Sequence, residues 1–180
     1  MMAFTDFRVL LMPGLHGSDA QHWQSRWQRL YPAFERVVQP DWDDPQLTLW
    51  SQQLDLVRAR DARPTLIVAH SFGCLATVHS VARDCINVAA LLLVAPADPD
   101  KFGVTALLPQ AALGCPSLMI VSSNDPWISA PRAAQWATRW GSTFVDAGAL
   151  GHINAESGLE DWPDGLARLQ ALAEQGLPSA

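Results

Sequence analysis

Strand-like apolar runs alternating with helix-spaced stripes predict an α/β protein: a three-layer sandwich with about six mainly parallel strands covered by helices on both faces. Three observations carry this expectation. First, the runs TLIVA (Thr65–Ala69) and AALLLVA (Ala89–Ala95) are apolar without alternation, as strands buried on both faces are. Second, segments with apolar residues at helical spacing separate such runs throughout the chain. Third, proline and glycine mark the junctions where one pattern gives way to the other.

Taken in order, the strand-like runs are Arg8–Met12, Arg36–Gln39, Thr65–Ala69, Ala89–Ala95, Ser117–Ser122 and Thr143–Asp146. Between them, Trp23, Trp27 and Leu30 share one helical face, and so do Trp50, Leu54 and Val57. The helix after Gly73 carries Cys74, Leu75, Val78 and Val81. A further stripe runs through Ala133, Trp136, Ala137 and Trp140, and a last one through Leu166, Leu169, Leu172 and Ala173. Asp44-Pro45, Ala130-Pro131 and Trp162-Pro163 suit helix starts with proline in the first turn. Gly141 and Gly176 suit left-handed C-terminal caps, and His22 falls in the first helix.

The 180 residues are expected to form a single domain over 1–180. The one stretch without a period, 96–116, is long enough for a small lid, with Phe102, Val104, Leu107 and Leu108 as its apolar members. A net charge of −6 argues against nucleic acid or an anionic membrane as a partner. The N-terminal stretch lacks a signal-peptide pattern, and the longest apolar run, Val88 to Ala97, is too short to span a bilayer. Three cysteines, at 74, 85 and 115, form neither a paired framework nor a C-x-x-C metal spacing. A reduced, cytoplasmic setting follows as the expectation.

In a parallel sheet the C-terminal ends of the strands share one edge, where ligands bind. The residues reaching that edge include His16 after the first strand, Trp42 after the second, His70-Ser71-Phe72 after the third, and Asp98, Asp125-Pro126-Trp127 and His152 after the last three. Ser71 stands at a strand-to-helix switch with Ala69 two residues before it and Gly73 two after. A nucleophile elbow demands small residues at those places, because its strained turn brings strand and helix close together. The bland reading is a serine that caps the following helix.

A serine hydroxyl needs a base. His152, in the loop after the last strand, is the candidate, and His16 is the alternative or a substrate contact. His79 points away from the edge, and His70 sits on the wrong side of the turn. The base needs an acid in turn, for which Asp125 leads and Asp98 is the rival. The order Ser71, Asp125, His152 is the nucleophile–acid–base order of α/β-hydrolases. Backbone N–H groups of Leu15 and Phe72 would form an oxyanion hole. Trp42 and Trp127 would wall an apolar pocket. Cys74, though near a helix start, is expected to be a buried structural thiol.

The segments PGLHGSDAQHW, QPDWDDP, AHSFGCLA, SSNDPW, GHINAESG and WPDG together resemble the small YdeN-type serine hydrolases, which include a retinoblastoma-binding relative, within the α/β-hydrolase superfamily. The resemblance runs through most of the chain. It implies a compact α/β-hydrolase fold with strand order 2-1-3-4-5-6, and Ser71, Asp125 and His152 as nucleophile, acid and base. The reaction expected of these residues is acyl transfer from a small ester, thioester or activated amide to water, which needs no cofactor or metal. The nearest match to an L-x-C-x-E segment, Leu113 to Ser117, lacks the glutamate, so no protein partner is carried over. Two other readings contrast with this one. A non-catalytic interaction module could be built on the same scaffold. A flavodoxin-like nucleotide binder would need a phosphate loop that PGLHGSD does not match.

Overall fold

The computed structural model describes residues 4–175. Among them six strands form one sheet: β1 (Arg8–Met12), β2 (Glu35–Arg36), β3 (Thr65–His70), β4 (Val88–Val94), β5 (Ser117–Val121) and β6 (Thr143–Asp146). All pair in parallel in the order β2-β1-β3-β4-β5-β6. Five helices connect them: α1 (Trp23–Leu30), α2 (Leu47–Arg58), α3 (Phe72–Val81), α4 (Ala130–Trp140) and α5 (Pro163–Gln175).

The period-2 geometry of the strands divides the core in two. Leu10, Met12, Ile67, Ala69, Leu91, Leu93 and Met119 face α2, α3 and α4, where Trp50, Leu54, Trp136 and Trp140 pack on them. The intervening residues Val9, Leu11, Leu66, Val68, Leu92 and Ile120 face the other way, toward Trp23 and Trp27 of α1 and Leu169 and Leu172 of α5. Both faces of the sheet are covered, which is why its central strands carry no polar alternation. Cys74, on α3, is buried in the first of these layers, and its thiol is pushed up by burial.

Four expectations shift. The second strand is only Glu35–Arg36; the Val37 N–H makes one more bond to the Leu11 carbonyl, and Val38 then turns into solvent at the sheet edge. Leu30 does not join the Trp23–Trp27 stripe; it is 51% exposed, at the final position of α1. The Asp44-Pro45 pair precedes α2 rather than opening it. The Asp44 carbonyl accepts both the Gln46 N–H and the Trp50 Nε1–H, so the chain is still turning there. His22 caps α1 instead of lying in it, its Nδ1 accepting the Gln24 N–H at 3.2 Å. Other junctions form as expected. Ser129 caps α4, with Pro131 in its first turn and Gly141 closing it at φ 68°. Gly176 lies outside the described residues.

The 96–116 stretch folds into two 3₁₀ turns, Pro99–Phe102 and Thr105–Leu107. Val104 and Leu108 are buried against the core, Leu107 is exposed, and the Pro109 carbonyl accepts the Trp140 Nε1–H at 3.1 Å. Among the described residues no helix is long and apolar enough to cross a membrane.

Candidate active site

Ser71 sits between the end of β3 and the start of α3 with φ 54° and ψ −125°, a conformation an L-residue adopts only under constraint. The constraint is visible on both sides of it. A Cβ at Gly73 would stand 2.5 Å from the Pro13 carbonyl oxygen, and one at Gly14 only 2.7 Å from Ser71 Cβ. The first loop and α3 therefore close on the serine with no room for a methyl group. Ser71 does not cap α3 with its side chain. Its Oγ lies 2.9 Å from His152 Nε2 instead.

The other imidazole nitrogen, Nδ1, lies 2.9 Å from Asp125 Oδ2 and 3.1 Å from Oδ1. A carboxylate only accepts, so Nδ1 carries the proton and Nε2 offers its lone pair to the serine O–H. The Asp125 side chain is 1% exposed, and its Oδ1 also accepts the Trp127 N–H at 2.9 Å. Asp98 turns elsewhere: its Oδ1 accepts the Asp100 N–H at 3.2 Å and faces Arg132 at 3.7 Å. Of the two acids, the structure brings Asp125 to the imidazole.

Phe72 opens α3, so its N–H has no intrahelical acceptor. Among the described residues neither it nor the Leu15 N–H is donated to another group of the chain. A cleft of about 300 Å³ opens over Ser71. Leu15, Phe102 and Trp127 give it apolar walls, while Asp19, His22, Asn154 and Glu156 add polar ones. His16 lines it too, largely exposed and paired with Asp43 at 2.7 Å. Trp42, expected as a pocket wall, lies behind the cleft. Its ring packs under Gly17 and edge-on to Trp50, and its carbonyl accepts the His16 N–H at 2.9 Å. Its main chain reaches the rim at His16, but the ring turns inward onto the core.

Two buried imidazoles lie beside this arrangement. His70 and His22 stand edge to face at 4.7 Å, and His70 is 4.9 Å from the His152 ring. Burial holds His22 down at about 4 and His70 well below the ordinary histidine value, so both are neutral near pH 7. Sequence reasoning missed the site roles of Asp19, His22, Ser122, Asn124, Asn154 and Glu156. The only signal for them was their presence inside the quoted motifs. Among the described residues no three or more His, Cys, Asp or Glu side chains gather as a metal site would.

A parallel sheet in this order, with a strained serine on the turn after β3, defines an α/β hydrolase. The chain belongs to the serine hydrolase family, whose model matches residues 9–171, and it is a hydrolase. It is similar to a protein of Pectobacterium atrosepticum described as a YdeN-like hydrolase, with 38% identity, 97% of this chain and 94% of that one covered, and a TM-score of 0.93. The ydeN gene product from B. subtilis shares the fold at 18% identity and a TM-score of 0.75, over 92% of this chain and 98% of that one. A thermophilic esterase from Thermogutta terrifontis shares the fold at 14% identity and a TM-score of 0.65, over 94% and 90%. No curated protein matches the chain.

Proposed function

We propose that the chain cleaves a small ester, thioester or activated amide through an acyl-enzyme on Ser71. The observation that carries this reading is the hydrogen-bonded series Ser71 Oγ, His152 Nε2, His152 Nδ1 and Asp125. His152 takes the serine proton as Oγ attacks the substrate carbonyl, and Asp125 stabilises the imidazolium that forms. The oxyanion is met by the N–H groups of Leu15 and Phe72. His152 then gives its proton to the leaving group, which departs as the alcohol, thiol or amine. Water, deprotonated by the same imidazole, attacks the acyl-enzyme and releases the acid with Ser71 restored.

The cleft's volume favours a small or flexible acyl chain, lodged against Leu15, Phe102 and Trp127. Three free thiols, Cys74, Cys85 and Cys115, support a reducing compartment such as the cytoplasm.

The test is labelling by a fluorophosphonate probe beside turnover of p-nitrophenyl esters of increasing chain length. The parent should label at Ser71 and turn over short esters. Ser71→Ala should not label and should lose about 10⁵-fold or more in kcat. A parent protein that neither labels nor turns over any ester would instead favour a non-catalytic interaction module.

A further inference from the structure

The loop carrying His152 is fastened at four consecutive residues, each by a side chain from elsewhere in the chain. Ser122 Oγ accepts the Leu150 N–H at 2.9 Å, and Asn124 Oδ1 accepts the Gly151 N–H at 2.7 Å. The His152 carbonyl lies 2.9 Å from His70 Nε2, and the Ile153 carbonyl accepts the Trp23 Nε1–H at 2.8 Å. Because a carbonyl only accepts, His70 carries its proton on Nε2.

These fasteners are needed. Gly151 has φ 61° and Ile153 φ 46°, so the imidazole hangs between two left-handed residues. For the β-branched Ile153 that conformation is costly and does not persist without outside support. Two of the holders also have a particular place in the chain. His70 directly precedes Ser71, and Asn124 directly precedes Asp125. Each shares a peptide unit with a residue that must reach the imidazole.

We infer that His70 and Asn124 are positioning residues that set how far His152 stands from Ser71 and from Asp125. The inference rests on the serine mechanism above. When the base loop drifts away from the nucleophile, the His70 bond to the His152 carbonyl breaks first, because residues 70 and 71 move together. The Asn124 bond to Gly151 does the same for the acid. With the main chain of residues 151 and 152 held at both ends, only the two side-chain torsions of His152 remain. Its contacts with Asp125 then fix the ring. Asn124 Oδ1 also accepts the Ser122 Oγ–H at 2.8 Å, which joins the first two fasteners into one unit. His70 makes no hydrogen bond to Ser71 Oγ or to the His152 imidazole; its ring lines the cleft, packs on the rings of His22 and His152, and among the described residues makes one side-chain hydrogen bond, to the His152 carbonyl. That bond to the base's own main chain is what marks it as a positioning residue.

The experiment measures the second-order rate of fluorophosphonate labelling at Ser71, with melting temperature in parallel. That readout needs no knowledge of the natural substrate. His70→Leu removes the donor and should slow labelling about 10- to 100-fold per folded molecule. His70→Gln places an N–H where Nε2 was and should recover to within about threefold of the parent. His70→Asn, whose N–H falls short of the carbonyl, should stay slow. Asn124→Leu should slow labelling about 10- to 100-fold per folded molecule, and Asn124→Asp, which keeps an oxygen for the Gly151 N–H, should recover most of that loss. Equal rates for the Gln and Asn variants of His70, or an Asn124→Leu rate identical to the parent's, overturn the inference. If His70→Leu does not fold, the Gln–Asn comparison decides alone. A parent that does not label at Ser71 refutes the serine mechanism instead, so the two failures are told apart.

Discussion

Replacing Gly73 with alanine puts a methyl group where the structure has carbonyl oxygens. The new Cβ would meet the Pro13 oxygen at 2.5 Å and the Met12 oxygen closer still, and both are backbone atoms at the end of β1. Neither can swing aside as a side chain could, so α3 and the first loop must separate by about 1 Å to reach ordinary contact. Overpacking of this kind costs about 1–3 kcal/mol, and two fixed oxygens place Gly73→Ala at the upper end. In a chain of this length that lowers the melting temperature by roughly 6–12 °C. The catalytic effect should be larger than the loss of stability suggests. The same separation pulls the Phe72 N–H, on α3, away from the Leu15 N–H, on the loop, and a misplacement near 1 Å at such a site costs about 10²-fold in rate. Thermal unfolding and fluorophosphonate labelling on the same preparation measure the two effects. Gly141→Ala is the control. It is strained by φ 68° at the end of α4 but lies in neither segment that carries a proposed oxyanion donor, so it should melt earlier and label at the parent rate. A Gly73→Ala protein with the parent's melting temperature and labelling rate would refute the close-approach reasoning.

The choice of acid and the buried histidines give two further predictions. Asp125→Asn should lower kcat by roughly 10⁴-fold, while Asp98→Asn, which loosens only the 99–102 turn and the Arg132 pairing, should stay within a few-fold of the parent; the reverse pattern would reassign the acid. Stability should fall as pH drops from 6.5 toward 4, because the unfolded chain protonates residue 22 near the ordinary histidine value while the folded chain resists until about 4. That difference amounts to about 3 kcal/mol, with His70 acting in the same direction, and urea unfolding between pH 4 and 7 measures it. His22→Asn keeps a capping oxygen for α1 without the titrating ring and should flatten that slope.

The parts of the site legible in the sequence are those imposed by main-chain geometry. Ser71 announced itself because a strand pattern gives way to a helix pattern within three residues, and the tight turn leaves room only for Ala69 and Gly73. The loop carrying His152 follows from counting strands, whereas the sheet order rested on the resemblance to the YdeN-type hydrolases. Asp125 and Asp98 could not be separated that way, since both follow a strand and only the direction of the side chain distinguishes them. Asp98 turns back to cap its own 3₁₀ turn, as its Asp-Pro-Asp setting permits. Trp42 was misplaced for a similar reason. Its main chain does reach the rim at His16, but the ring turns inward, under Gly17 and onto Trp50. What His70 and Asn124 do was not legible, although both lie inside the quoted motifs. Their partners are a carbonyl 82 residues away and an N–H 27 residues away, and main-chain groups carry no residue identity in a sequence.

The tryptophan content, eight in 180 residues, takes on a function in this light. Helical spacing marks Trp23, Trp27, Trp50, Trp136 and Trp140 as core, and all five are buried. Four of them, all but Trp136, also donate the indole N–H to a carbonyl in a segment that follows the C-terminal end of a strand. Trp23 reaches Ile153 in the base loop, Trp27 reaches Asp161 ahead of α5, Trp50 reaches Asp44 after β2, and Trp140 reaches Pro109 in the 96–116 segment. A leucine or phenylalanine would fill the same space and leave those carbonyls unheld. Each bond is worth only about 1 kcal/mol, which is little against the burial of the ring. Its value is positional. Short connections have few residues with which to brace themselves, so these segments are held from beneath by the core, and of the four bonds the one from Trp23 to Ile153 falls beside His152. On this account a core substitution far from Ser71, such as Trp23→Phe, belongs with the site mutations. It keeps most of the packing yet frees the carbonyl next to His152, so it should slow labelling more than it lowers the melting temperature.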